Sequence, residues 1–410
     1  MPISLGPFFT NFSIDREKNM NYKVKERIFM LDCARKYYTP AWIKKLILEI
    51  KNAGFNAISI HFGEDMGHRL ESKTYPWLAG GDHTLCVYGT ANGEAENDKK
   101  FISQEEMADI VRFAQSNDIE VIPSFDSPGH MNYAVKKYNA HMGADISNYF
   151  HKDGKKSIVQ GSSIKKEPAQ YTFSRGIDIS NPEAVEFARN LYAEYGKFFY
   201  DLGCRKFDIG GDELLGFGET IDATLSKWQN LDHWDAHAKK LTGNEKAVAY
   251  DAFLLYMNGI AELMRSIGYE KILMWNDDVC RDFDTGWQGA VELDKSIDVQ
   301  YWSVNSNGGK NTVRTYLDRG HKVYNFISPY VYYVVGFGGA KYGTTPEILE
   351  RDWNAYHFDR DNPENNLPAP DERVLGGGYC LWSDSPASET EDEVLENIKP
   401  YIYACGKKLN

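Results

Sequence analysis

Cys204–Glu219, CRKFDIGGDELLGFGE, is the stretch on which the fold turns. Lys206-Phe207-Asp208-Ile209 alternates polar and apolar residues and reads as a short buried strand. Two glycines follow, then two adjacent acids, Asp212 and Glu213. Neighbours in a regular strand point to opposite faces. For both acids to serve one ligand the pleat must break, and Gly210-Gly211 permit the break. Two acids at a strand's C-terminal end suit a site where one positions and the other moves a proton. The alternative is a strand end whose acidic residues merely cap or solvate, so the rest of the chain must decide.

On both sides of this stretch one unit recurs: short apolar strand, loop, amphipathic helix. Ile28–Leu31 is the first strand. A helix follows from Pro40, with Ile43, Leu46, Ile47 and Ile50 at helical spacing and Gly54 closing it. Asn56–Phe62 is the second strand. A long loop over residues 63–102 precedes a helix begun by Ser103, with Glu106 three places on as in a capping box. Glu120–Phe125 is the third strand; a lysine-rich loop over 138–175 leads to a helix over 182–200. The opening stretch supplies the fourth strand. A polar insertion near 216–246 and a helix through Phe253, Leu254, Met257, Ile260 and Met264 follow it.

Lys271–Trp275, Ile297–Trp302, Lys322–Ile327 and Val374–Trp382 are the fifth to eighth strands, and a last helix runs from Glu389 into Cys405. Strands and helices alternating in this way predict an α/β chain, a single (β/α)8 TIM barrel with long βα loops over residues 27–410. Residues 1–26 are too few for a domain and are expected to pack on the barrel as an N-terminal extension.

Composition narrows the partners. With 46 basic against 59 acidic residues the net charge is −13, which disfavours nucleic acid and anionic membranes. No run approaches the roughly 18 apolar residues of a membrane helix. Met1–Arg16 shows no basic start followed by an apolar core, so the sequence as it stands reads as cytoplasmic; a signal already removed would leave the same appearance in a secreted protein. Cys33, Cys86, Cys204, Cys280, Cys380 and Cys405 are widely spread and read as reduced core thiols rather than a disulfide framework or zinc site. Twenty-six tyrosines and nine tryptophans bias the chain toward aromatic surface of the kind that stacks on sugars. Oligomeric state is not legible.

Chemistry in such a barrel gathers where the strands end. Just past the strands stand Asp32 and Arg35; Glu64, Asp65 and His68; Asp126 and His130; Asp212 and Glu213. The later strands add Trp275, Asn276 and Asp277; Trp302; Tyr330; Trp382 and Asp384. Three tryptophans at three strand ends are hard to explain as core. With the carboxylates, the arginine and the tyrosine they describe an aromatic-walled sugar pocket with polar anchors. Weaker signals lie elsewhere. His233-Trp-Asp-Ala-His237 spaces two histidines by one helical turn but lacks the glutamate of a zinc helix, and reads as a solvated helix face. Gly336–Lys341 lacks a phosphate-binding spacing and reads as a flexible rim loop. The lysines at 152–166 read as solvated loop.

MLDCARKYYTP (30–40), HFGEDMGHRLES (61–72), IPSFDSPGH (122–130), FDIGGDELLGFG (207–218), LMWNDD (273–278), QYWS (300–303), ISPYVYY (327–333) and GGYCLWSD (377–384) occur in that order. In this combination the chain resembles glycoside hydrolase family 20, the β-N-acetylhexosaminidases, over roughly residues 27–400. The resemblance implies a retaining exo-glycosidase that needs no cofactor or metal. Its partner would be an oligosaccharide or glycan with a terminal β-linked N-acetylhexosamine. Catalysis would be substrate-assisted. Glu213 would be the general acid and later the base. The substrate's own acetamido carbonyl would close on the anomeric carbon to an oxazolinium ion. Asp212 would orient the acetamido N–H, and Tyr330 would donate to its oxygen. Trp275, Trp302 and Trp382 would wall the acetamido pocket, and Arg35 would bind ring hydroxyls. His130 would hydrogen-bond Glu213, backed by an acid from the Glu64-Asp65 pair, with Asp126 and Asp384 completing the polar lining.

The chain departs from the family's usual pattern at four places. Asp208 stands where a histidine is usual, Glu64 where an aspartate is, and Ser124 follows Pro123 where a glutamate does. Asp384 replaces a glutamate that grips O4 and O6 of the terminal sugar. A side chain one methylene shorter leaves room for a substituted or further-glycosylated residue, which the family's disaccharide-releasing lacto-N-biosidases require. A catalytically silent amino-sugar-binding barrel is the alternative of another class; the intact Asp212-Glu213-Tyr330 set argues against it.

Overall fold

The computed structural model describes residues 23–86, 97–151, 171–214, 231–277, 289–304 and 311–410, except the side chains of 149–151, 171–175 and 340–341. Eight parallel strands form the inner layer: β1 (Glu26–Asp32), β2 (Ala57–His61), β3 (Glu120–Ser124), β4 (Lys206–Asp208), β5 (Lys271–Trp275), β6 (Ile297–Tyr301), β7 (Val323–Asn325) and β8 (Val374–Trp382). They pair in chain order, and β8 closes on β1 with Ile28 opposite Gly378 and Leu31 opposite Leu381. Every residue of β2 and β6 is buried. Strands covered on both faces are usually near-continuous apolar runs, and here Ser59, His61, Asp298 and Gln300 interrupt them.

Around them run α1 (Pro40–Asn52), α2 (Gln104–Ser116), α3 (Pro182–Asp201), α4 (Ala249–Ile267), α5 (Val313–Asp318), α6 (Pro346–Asp352) and α7 (Glu391–Leu409). The β5–β6 connection lies mostly outside the described residues. In α1 the Thr39 hydroxyl accepts the Trp42 N–H, Pro40 opens the first turn, and Trp42, Ile43, Leu46, Ile47 and Ile50 face the barrel. Each such aliphatic side chain is worth about 1.5–3 kcal/mol relative to exposure. The Ser103–Glu106 capping box opens α2. In these elements local signals and burial point the same way.

The long loops carry structure that alternation and periodicity did not reveal. After β2 an antiparallel patch, Gly63–Glu64 with Gly67–His68 and Gly80–Gly81, lies over the barrel mouth. After β3 a helix, Asn132–Met142, and the paired segments Ser147–His151 and Tyr171–Ile177 fill the connection. After β7 a short helical turn, Ser328–Val331, delivers a ninth strand, Tyr332–Val334, parallel to β8 with Tyr332 opposite Cys380 and Val334 opposite Trp382.

Two further expectations are corrected, and the Gly336 rim loop gains its detailed form. Glu26 belongs to β1 rather than to an extension; residues 1–22 and the 152–166 lysines lie outside the described residues. The His233–His237 helix (Asp232–Thr242) is anchored rather than simply solvated. Trp234 is fully buried with Nε1 donating to Asp178 at 2.8 Å, and His233 Nε2 lies 3.1 Å from Asn148 Oδ1. The Gly336 region is a tight turn, with Phe337 and Gly338 N–H groups donating to Val334 O.

At the floor of the barrel Glu26 accepts from Lys206 Nζ at 2.7 Å and Tyr324 OH at 2.7 Å, and pairs with Lys271. The mouth at the opposite end holds the candidate site.

Candidate active site

The pleat breaks where the glycines allow it. Gly210, Gly211 and Glu213 have φ of 70°, 90° and 40°, left-handed values that glycine tolerates and glutamate adopts only under tertiary constraint. A Cβ on Gly210 would stand 2.0 Å from Asp126 Oδ1 and 2.7 Å from Asp126 Cα. Asp212 and Glu213 consequently turn into one cavity.

His130, itself at φ 51°, stands behind both acids. Its Nε2 is 3.4 Å from Glu213 Oε2 and 3.6 Å from Asp212 Oδ2. Its Nδ1 is 2.6 Å from Glu64 Oε1 and 3.3 Å from Asp65 Oδ2, so both members of the pair back the ring, Glu64 the closer. Burial opposes charge on His130, but Glu64, Asp212 and Asp65 outweigh it and hold the imidazole protonated well above its usual range. Burial pushes Glu64 up to about 7, against the pull of Arg35 and His130. Asp212 is also raised, by burial and then by Glu213, with His130 opposing.

Arg35 closes this network. It donates to Asp32 at 2.9 Å, pairs with Glu64, and lies 5.4 Å from the Trp382 ring centroid. Arg35, Asp65 and His130 line the cavity, whereas Glu64 is buried behind them. Asp126 is not in the lining either; it lies beneath, against Gly210. His68 faces away and meets Tyr195 OH at 2.7 Å. His61, Glu64 and Asp126, and again Glu64, Asp65 and His130, cluster closely enough here to meet a cation. Elsewhere Asp82, His83 and Asp98 cluster similarly, with Asp82 paired to Lys136 and His83 to Asp98.

Trp275, Trp302 and Trp382 stand on the cavity wall as the strand ends suggested, and Asp384 lies beside them. Trp302 is held from β5: its Nε1 donates to Asp277 at 2.7 Å and its N–H to Asn276 at 2.9 Å. Tyr330 is the displaced residue. It sits in the Ser328–Val331 turn outside the lining, with Asp352 and Arg360 as its charged neighbours. Tyr332 occupies the wall instead, 5.7 Å from Trp382 between ring centroids. Met66, Leu85, Val334 and Tyr342 complete a space of 810 Å³ counted with its mouth. Val334 ends the short ninth strand and the other three lie in turns of the long connections, with no alternation or helical period to mark them.

The fold and pocket define a (β/α)8 barrel of the carbohydrate-active kind, with an acid pair and stacked aromatics at the strand ends. The chain belongs to glycosyl hydrolase family 20, whose catalytic domain matches residues 25–405. It is 25% identical over 361 residues to beta-hexosaminidase subunit A1 of Dictyostelium discoideum, covering 87% of this chain and 54% of that protein. It is 26% identical over 313 residues to the lacto-N-biosidase of Bifidobacterium bifidum, covering 74% of this chain and 23% of that protein. The chain thus spans about half the length of the first of these relatives and less of the second. Against the crystal structure of dispersin B the TM-score is 0.66 at 22% identity, with 94% of this chain and 99% of that one covered, a likeness of fold.

Proposed function

We propose that this chain is a glycoside hydrolase of the β-N-acetylhexosaminidase type, removing terminal β-linked N-acetylhexosamine with retention through an oxazolinium ion. One observation carries the reading: two sequence-adjacent acids turn into the same aromatic-walled cavity. Adjacent acids cannot flank a sugar from opposite faces as the usual retaining pair does, about 5–5.5 Å apart across the scissile bond. They can serve a substrate that brings its own nucleophile.

In that reading Glu213 protonates the glycosidic oxygen and then deprotonates water. Asp212 accepts the acetamido N–H and offsets the charge that develops on the closing ring. His130 steadies both, its own charge balanced by Glu64 and Asp65. Tyr332 takes the role the sequence pointed to for Tyr330, donating to the acetamido oxygen from between Trp302 and Trp382. Turnover of a chromogenic N-acetylglucosaminide or N-acetylgalactosaminide tests the reading. Glu213→Gln is expected to lose about 10²–10⁴-fold in kcat while still binding sugar; a wild-type protein that binds but never turns over would instead be a sugar-binding barrel.

A second reading, release of a disaccharide, has its own observation. Asp384 is short for its position, and it shares the cavity lining with the apolar Leu85 and Met66 as well as with its charged neighbour Arg35. Product analysis on a lacto-N-tetraose-type oligosaccharide separates the two, by monosaccharide or disaccharide product.

A further inference from the structure

The register of the first four strands sets four polar side chains in one row. Asp32 is opposite His61, His61 opposite Ser124, and Ser124 opposite Asp208. All four are fully buried. A buried polar row persists only where donors meet acceptors, and here that matching places each hydrogen. Burial raises the Asp208 carboxyl to about 6, and above that pH the Ser124 hydroxyl donates its single hydrogen to Asp208 Oδ2 at 2.8 Å. Toward His61 Nδ1, 2.9 Å away, Ser124 can then only accept, so Nδ1 carries a hydrogen. Burial lowers the His61 pKa to about 3, so the ring is neutral and its Nε2 is bare. That bare nitrogen faces Asp126 Oδ2 at 3.5 Å. Neither oxygen of Asp126 has a hydrogen-bond partner among the described residues. Two lone pairs facing each other in a buried site repel, and a proton on Asp126 removes the conflict.

We propose that Asp208, acting through Ser124, is a positioning residue that keeps His61 Nε2 bare, so that Asp126 retains a proton and Asp212 the negative charge. This rests on the reading of Asp212 as the carboxylate that orients the acetamido group. The charged surroundings are consistent with it. Asp126 faces Asp212, His130, Glu64 and Asp208 as well as His61. His61 faces Asp32, Arg35 and His130, and Asp212 faces His130, Glu213, Arg35, Asp126 and Asp208. The charge lost in D208N by itself therefore pulls the Asp212 pKa down, and the reversed row must outweigh it. Arg35 is shared with Asp32 and Glu64, and His130 with Glu64 and Asp65. Two cations cannot also neutralise both Asp126 and Asp212, so one of these acids keeps a proton and the row selects which. The acid at 208 and the hydroxyl at 124 thereby act as one device.

Asp208→Asn is the decisive variant. Oδ1 of residue 208 accepts the Gly210 N–H at 3.1 Å, so an asparagine there turns its amide nitrogen toward Ser124 and reverses the row. Ser124 then donates to His61 Nδ1, Nε2 takes the hydrogen, and Asp126 becomes the acceptor. In ¹⁵N NMR of histidine-labelled protein, the wild type is expected to show His61 protonated at Nδ1 and D208N at Nε2. With Asp126 ionised beside it, Asp212 holds a proton more tightly, so the acid limb of kcat/KM moves to higher pH by about one unit while the alkaline limb stays. Ser124→Ala cuts the row without reversing it and is expected to shift the acid limb the same way. A wild-type His61 protonated at Nε2 overturns the proposal; so does an acid limb that stays put in D208N once the tautomer has flipped. Should neither variant fold, the wild-type tautomer decides alone. A wild type without turnover would remove the functional reading, yet the tautomer would still judge the row.

Discussion

Tyr332 lies face to face with Trp302, ring centroids 6.1 Å apart and planes within 9°. Trp302 is fixed in turn by Asn276 and Asp277 at the end of β5, so two consecutive strand ends orient one phenol. If that hydroxyl polarises the acetamido carbonyl, Tyr332→Phe removes a donor aimed at developing charge. The expected loss is about 10²–10³-fold in kcat/KM, most of it in kcat. Tyr330→Phe, on the far side of the helical turn, is expected to stay within a few-fold of wild type. Steady-state kinetics on the two variants decide; the reverse ranking would return the role to Tyr330.

The tyrosine swap shows where the sequence was legible. β8 coincides with its expected bounds because a strand buried at every residue but Leu375 carries no charge to interrupt it, and the Gly-Gly before Asp212 announced the break in the pleat. The tyrosines of ISPYVYY carry no such mark. They are close in sequence and chemically alike, and only the pairing of Tyr332–Val334 beside β8 tells which one faces the cavity. That pairing is long-range and leaves no local pattern. Asp126 was misplaced into the lining for a similar reason. It follows its strand as a site residue should, but the close approach of Gly210 puts it below the cavity floor.

Gly210 is therefore the residue whose loss is most direct. An alanine there combines a left-handed backbone, costing about 1–3 kcal/mol, with a methyl against the Asp126 backbone and carboxylate. Gly210→Ala is expected to lower the denaturant midpoint and to abolish turnover together, because the same glycine aims both acids. Full activity with lowered stability would show that the acids find their places without it.

The barrel floor gives a pH-dependent prediction. Burial alone would raise the Glu26 pKa, but hydrogen bonds from Lys206 and Lys271 bring it below its ordinary value of 4.5. A carboxylate depressed in the folded state stabilises fully above its unfolded pKa, and the contribution fades as pH falls through the folded value. Glu26→Gln is expected to cost about 1–2 kcal/mol at pH 7, discounted for partial exposure. The gap to wild type should narrow as pH falls below the ordinary value of 4.5 toward the lowered one. Urea denaturation at pH 7 and pH 3.5 measures both, and a gap independent of pH would mean that Glu26 acts through packing.

In the proposed reading Asp384 helps to set which terminal sugar the site accepts. A carboxylate one methylene short of its usual length would there reach O4 and O6 less closely, and Leu85 and Met66 on the same cavity lining are apolar. Restoring the length with Asp384→Glu fills that space with a group built to meet hydroxyls, and such groups discriminate strongly when left unmet. For a simple N-acetylhexosaminide, kcat/KM is expected to rise up to about 10-fold. For a substrate with a second sugar on the terminal residue it is expected to fall, because the longer side chain occupies that sugar's path. The two substrates assayed side by side give the ratio directly. If both rates move together, the room beside Asp384 is not used to choose between them, and specificity lies elsewhere on the rim.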